Sequence, residues 1–387
     1  MTRSFVLISF YSFLIIVTES FYSCNRQDDE DILSLLNGQI TITSLPGDIE
    51  FTIEGTRSVT VQWGDGPDEI EKYDSQWGPF ALTYNIHALN GYITIDGWDI
   101  TYLRCNENLL ITGLDVKSRK LIHLICNNNQ LLNLDVSEAT SLNELACSDN
   151  QLSRLDITKN TSLNILFCSD NQLSSLDITK NDSLNILDCM NNKLSSLDVS
   201  KNTALIDLWC YNNQLSQLNV SMNPALTQLN CSQNHLSSLD VSKNPALTSL
   251  SCFKNELSSL DVSKNTSLSS LSCDQNELSS LDISKNTELK TLWCTNNHIS
   301  ALDVSKNTLL EGLFCSRNEL TSLVLGDNIF ISSVHCDQNL LSTEALNNLF
   351  RTLPYSPTGA RIIIFDNPGS NDCDTSIATE KGWEVIN

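Results

Sequence analysis

The sequence is short of positive charge. Lysine and arginine number 23 against 46 aspartates and glutamates, a net charge of −23. That excludes the basic face on which nucleic-acid binding depends and fits a self-repelling, soluble surface. Aromatic residues make up 7% of the chain, so each one at an outward position carries information. The five histidines, His87, His123, His235, His298 and His335, are scattered and have no evident triad partner. HExxH, GxSxG, the P-loop and the dinucleotide fingerprint are all missing. Although there are 14 cysteines, no CxxC pair offers the clustered ligands of a zinc site. The apolar stretch "FVLISFYSFLIIV" (5–17) has 13 residues, which is short for a membrane span. These absences point away from an enzyme and call for no cofactor.

What is present is a period. Cysteine returns every 21 residues, at Cys105, Cys126, Cys147, Cys168, Cys189, Cys210, Cys231, Cys252, Cys273, Cys294, Cys315 and Cys336. The unit is LxxLxCxxNxLxxLDVSKNxx, filled in one copy by Leu163, Leu166, Cys168, Asn171, Leu173, Leu176, Ile178 and Asn181. In "LxC" the first and last side chains point inward and the middle one outward, and "LDV" behaves alike. Each coil therefore offers two short strands, and stacked coils give parallel ladders about 4.8 Å apart.

Twelve thiols in a line cannot converge on a metal, and none has a base beside it. Side chains pointing the same way keep neighbouring Cβ atoms about 4.8 Å apart, whereas a relaxed disulfide needs about 3.8 Å. The cysteines read as small buried hydrophobes. An asparagine stands three residues after each, from Asn108 to Asn339. Turned inward, it can bond the turn's backbone with both ends of its amide. A column of aspartates from Asp135 to Asp303, broken by Asn219, has lysines three residues on, Lys159 to Lys306. It reads as charge pairing in preference to a calcium site.

This spelling resembles the leucine-rich repeat family in its short 21-residue form, whose two halves echo each other. The resemblance covers residues 101–341 and implies a repeat solenoid of about twelve coils. Residues 39–100 differ: "QITITSL", "IEFTIEG", "SVTVQWG" and "YITIDG" alternate like strands of a small all-β domain. With "WGDG" (63–66) and "LTYNIHALNGYITIDG" (82–97) this region resembles a PKD-like β-sandwich, in which Asp65 would cap its own turn. Residues 342–387 read as an α/β cap over the open end of the array. Ser342 is placed to start a helix, Pro354 to stop it, and Gly382 to end a second, with "RIIIF" as a strand.

At the start, Arg3, the apolar stretch and "TESFYS" read as a signal peptide over 1–23. "FYSC" resembles a bacterial lipobox, which would make Cys24 the lipidated first residue of the mature chain. Residues 24–38 form an acidic linker, where Asp28, Asp29, Glu30 and Asp31 resemble the surface-export signal of Bacteroidota lipoproteins. Together these resemblances imply a surface-exposed outer-membrane lipoprotein that meets the membrane only through its lipid.

Outward positions of the LxC sheet do not repeat. Phe167, Met190, Trp209 and Tyr211 lie on three consecutive coils and form one candidate patch, and Trp293 and Phe314, with Phe253, a second. Exposed aromatic patches mark recognition sites. The expectation is a non-enzymatic recognition or adhesion protein that binds an extracellular or host protein through this face. Asp170, Asn191, Asn212 and Gln233 would also suit sugar hydroxyls, so a carbohydrate ligand stays open, as does a passive spacer.

Overall fold

A computed structural model describes residues 37–387 apart from 57, 64–69, 75–79, 89–90 and 357–358. The signal peptide, Cys24, the acidic linker up to residue 36 and Asp65 lie outside the described residues. The chain divides into two compact units, Met1–Leu176 and Asp177–Asn387.

The first unit opens with six strands: β1 (Asn37–Ser44), β2 (Gly47–Gly55), β3 (Ser58–Gln62), β4 (Ile70–Asp74), β5 (Phe80–Ala88) and β6 (Tyr92–Trp98). β1 and β3 flank β6, and β4 extends that sheet from β3. β2 pairs with β5 in a second sheet. Period-two alternation buries Ile40, Ile42, Ile93 and Ile95 on the first sheet and Ile49, Phe51 and Ile53 on the second. Phe51 stacks on Tyr84 with ring centroids 5.2 Å apart.

These sheets do not stop at residue 100. β7 (Tyr102–Arg104) and β8 (Ile111–Val116) belong to the first coil. β7 pairs antiparallel with β2 on one side and parallel with His123–Ile125 on the other. β8 likewise lies between β1 and Asn133–Asp135. The edges of the first coil are thus occupied by the preceding strands, which removes an open template for pairing.

In the second unit the LxC strands run parallel and in register from Ile186–Asp188 to Ser333–His335. The central Leu or Val of each strand and the cysteine after it are buried. The ladder continues through Ala360–Ile363 and Trp383–Ile386. Helix α1 (Thr343–Thr352) starts at Ser342, whose side chain accepts from the Ala345 N–H, and it buries Leu346, Leu349 and Phe350. Lys381 Nζ donates to the carbonyls of Phe350 (3.2 Å), Arg351 (2.5 Å) and Leu353 (2.8 Å), a cation at the end where helix carbonyls are left over. A four-residue helix, α2 (Ser376–Thr379), precedes the last strand.

The LDV side departs from expectation. Among the described residues of the second unit, paired strands appear there only between Ala301–Asp303 and Ser322–Val324. Elsewhere a buried asparagine from the SKN segment reaches the preceding coil. Asn202 donates to the Ile178 carbonyl (3.0 Å), Asn223 to Val199 (3.0 Å) and Asn244 to Val220 (2.9 Å). A side-chain amide thus takes the carbonyl that a ladder N–H would otherwise use. In the sequence this second asparagine column looks like any other polar position of the repeat.

The aspartate column is also organised differently from the lysine pairing expected of it. Asp198, Asp240, Asp261 and Asp282 accept the backbone N–H of the serine two residues on, at 2.8–2.9 Å. That hydrogen bond is the first cause holding these carboxyls below their usual range, and the nearby lysine is a lesser one. Asn219 makes the same turn with the Ser221 N–H at 3.0 Å, so it breaks the charge column but not the turn.

Candidate recognition face

The outward side of the LxC ladder in the second unit is built from three columns. Ahead of the central Leu run Asp207, Gln228, Ser249, Ser270, Thr291 and Gly312; before the cysteine run Trp209, Asn230, Ser251, Ser272, Trp293 and Phe314. After the cysteine come Met190, Tyr211, Ser232, Phe253, Asp274 and Thr295. The strand pleat sends these away from the Leu–Cys core, and the aromatics among them are half-buried.

The candidate residues separate into groups. Phe167 belongs to the first unit, half-buried and paired in register with Ala146. Met190 follows the strand carrying Asp188, whose carboxylate accepts the Met190 N–H at 3.2 Å. Trp209 is the register partner of Asp188, and Tyr211 follows on the same coil as Trp209. Trp293 and Phe314 stack on each other, centroids 5.6 Å apart and planes 9° from parallel. His335 meets Phe314 edge-on at 4.7 Å, and burial lowers its pKa. Gly312 leaves room beneath this row: a Cβ there would stand 3.0 Å from the Phe314 ring and would push the ring aside by a few tenths of an ångström.

Phe253 and Trp293 line one shallow groove of about 610 Å³, together with Ser249, Ser251, Ser270, Ser272, Asp274 and Thr295. The serines keep its floor low. In the sequence Asp274, an outward carboxylate, is ordinary. Its setting is not: Oδ2 accepts from Ser272 Oγ (2.9 Å) and Oδ1 from the Thr295 N–H (2.9 Å). Burial pushes its carboxyl above the usual range. Its sequence signal is the set of four serines, Ser249, Ser251, Ser270 and Ser272, in two columns beside Trp293.

The polar residues considered for sugar hydroxyls have another role. Asp170, Asn191, Asn212 and Gln233 hold φ of 51–53°, and the equivalent residues of the other coils hold φ of 52–62°. Lys254, Gln275 and Arg317 hold the same left-handed turn, so the coil imposes this backbone conformation at the position whatever the side chain. The ladder thiols are free and buried, and burial raises the thiol pKa to about 12 at Cys105, Cys147 and Cys231. Among the described residues no cluster of three His, Cys, Asp or Glu side chains is placed to hold a metal ion. Nor is any helix there long and apolar enough to cross a membrane.

The chain is similar to the functional domain of InlJ from Listeria monocytogenes, which includes a cysteine ladder. Identity is 29% and the TM-score 0.58, over 70% of this chain and 66% of that one. The fold is that of a leucine-rich repeat array. The chain is similar as well to the leucine-rich repeat protein LIC12759 of Leptospira interrogans (23% identity, TM-score 0.60, 70% and 73% of the two chains). A third likeness is to YopM, a leucine-rich effector protein of Yersinia pestis (23%, 0.53, 69% and 72%). The last two speak to fold alone. No family model and no curated protein matches the sequence.

Proposed function

We propose that this leucine-rich repeat protein is a non-enzymatic recognition protein, displayed outside the cell, that binds a protein partner through the outer face of its LxC ladder. One observation carries the reading. In an array where core and turn positions recur coil after coil, the outward LxC columns vary, and they hold half-exposed aromatic side chains. A regular scaffold with a varied aromatic face has the composition of a protein-binding surface. The resemblance of the N-terminus to a lipoprotein signal supports display through a lipid on Cys24. The PKD-like segment would then sit between anchor and array.

Binding of the purified chain to a panel of immobilised extracellular-matrix and cell-surface proteins tests this. The expected outcome is a saturable partner whose affinity falls about tenfold or more on Trp209→Ala with Tyr211→Ala, with melting unchanged. Full affinity in that folded variant and in Trp293→Ala would remove this face from recognition. In parallel, intact cells should show protease-accessible protein, and Cys24→Ala should lose lipid labelling and surface retention.

A further inference from the structure

The groove between Phe253 and Trp293 contains a carboxylate with no counter-charge. The groups that hydrogen-bond Asp274, among them the Ser272 hydroxyl (2.9 Å) and the Thr295 N–H (2.9 Å), are neutral. Among the described residues no ion pair includes it. Its hydrogen bonds come from neutral hydroxyl and backbone N–H groups, and none of these supplies a positive charge. A desolvated, unpaired charge is costly, and its raised pKa is the same fact seen as a proton equilibrium. Whatever fills this groove should bring a cation.

The walls narrow the choice of cation. Phe253 and Trp293 stand on coils two apart, roughly 10 Å on a ladder spacing of about 4.8 Å. Between them the floor is Ser251 and Ser272, small enough to admit a flat group. An ammonium is a compact, strongly hydrated point charge. A guanidinium is planar, weakly hydrated, stacks on aromatic faces and offers paired N–H groups that match a carboxylate. A neutral sugar ring could stack on Trp293 but would leave the Asp274 charge unmatched. The net charge of −23 attracts basic surfaces at longer range.

We infer that this groove is an arginine pocket: it receives the guanidinium of an arginine side chain on a protein partner, with Asp274 as the bidentate acceptor and Phe253 and Trp293 flanking the cation. The inference rests on the LxC face being a protein-recognition surface and names the residue type which that surface selects.

The test uses the full chain and a small probe, Nα-acetyl-arginine methylamide, titrated while the Trp293 indole N–H resonance is followed. That resonance is assigned by its loss in Trp293→Phe. A saturable shift is expected, with none from the neutral citrulline analogue. Asp274→Asn should weaken binding about tenfold or more, while its remaining oxygen keeps the Thr295 N–H and hence the contact with the next coil. Added salt should weaken binding of the charged probe. No saturable shift, equal response to citrulline, or undiminished binding by Asp274→Asn would each overturn the pocket, as would a shift caused by neutral saccharides in place of arginine. The two levels of the argument fail separately. Partner capture that survives without arginine binding refutes only the pocket. Arginine binding by a chain that captures no protein refutes only the wider reading.

Discussion

Two asparagines per coil look equivalent in the repeat but make different use of their amides. Asn213 uses both ends. Its Nδ2 donates to the carbonyls of Cys189 (3.0 Å) and Cys210 (3.2 Å), and its Oδ1 accepts the Leu194 N–H of the preceding coil (2.9 Å). Asn223 donates to the carbonyls of Val199 (3.0 Å) and Asn202 (2.8 Å), but its Oδ1 meets no donor. Those two carbonyls also accept the N–H groups of Asn202 and Leu205. Asn213→Ala therefore strands the buried Leu194 N–H and should cost about 1–3 kcal/mol. Asn223→Ala leaves each carbonyl with a donor and removes an unsatisfied oxygen, so it should cost clearly less. Denaturant titration of both variants reads the difference, and equal losses would show that the two columns carry the coils alike. At this scale the first column was legible, because an asparagine held in one register with a buried cysteine needs backbone partners. Asp274 was not, because its neighbours Ser272 and Thr295 lie on its own and the next coil, and burial of a surface-type residue depends on what surrounds it.

Element by element, the LxC strands, the helix after Ser342 and the closing strands could be read directly, since period-two burial and cap residues are local signals. The LDV strands mostly could not. Their ladder competes with the turn that follows, where aspartate takes the N–H of the serine two residues on and a buried asparagine takes the preceding coil's carbonyl. That competition has a pH signature. The folded-state pKa values of Asp198, Asp240, Asp261 and Asp282 are depressed. Their stabilisation is thus present above the usual aspartate range and is lost as pH falls through the folded pKa. Asp240→Asn should keep the turn, as Asn219 does at 3.0 Å from the Ser221 nitrogen. It should melt like the parent at pH 7 and lose less stability on acidification. Asp240→Ala, which abolishes the bond to the Ser242 N–H, should lose about 1 kcal/mol at pH 7. If Asn and Ala substitutions behaved alike at pH 7, the charge and not the turn would be what the column supplies.

On the scale of the whole chain, the cysteines give a built-in report on cooperativity. Each coil contacts its neighbours, so opening can be local or can spread along the array. Twelve thiols are spaced one per coil and buried, while Cys373 in the cap is half-exposed with its Sγ near the Ser370 carbonyl (3.3 Å). Alkylation needs both exposure and the thiolate, and burial opposes both: it pushes the Cys105, Cys147 and Cys231 thiols up to about 12. Under native conditions Cys373 should label first and the ladder should resist. With rising denaturant, peptide mapping should find the ladder thiols of each compact unit becoming reactive together, since opening one coil exposes the apolar faces of the coils on either side. Labelling that crept inward coil by coil from one end would show that the coils fray independently. Ladder thiols that stayed unreactive even after full unfolding would mean they are cross-linked, and the packing account of the twelve cysteines would fall with it.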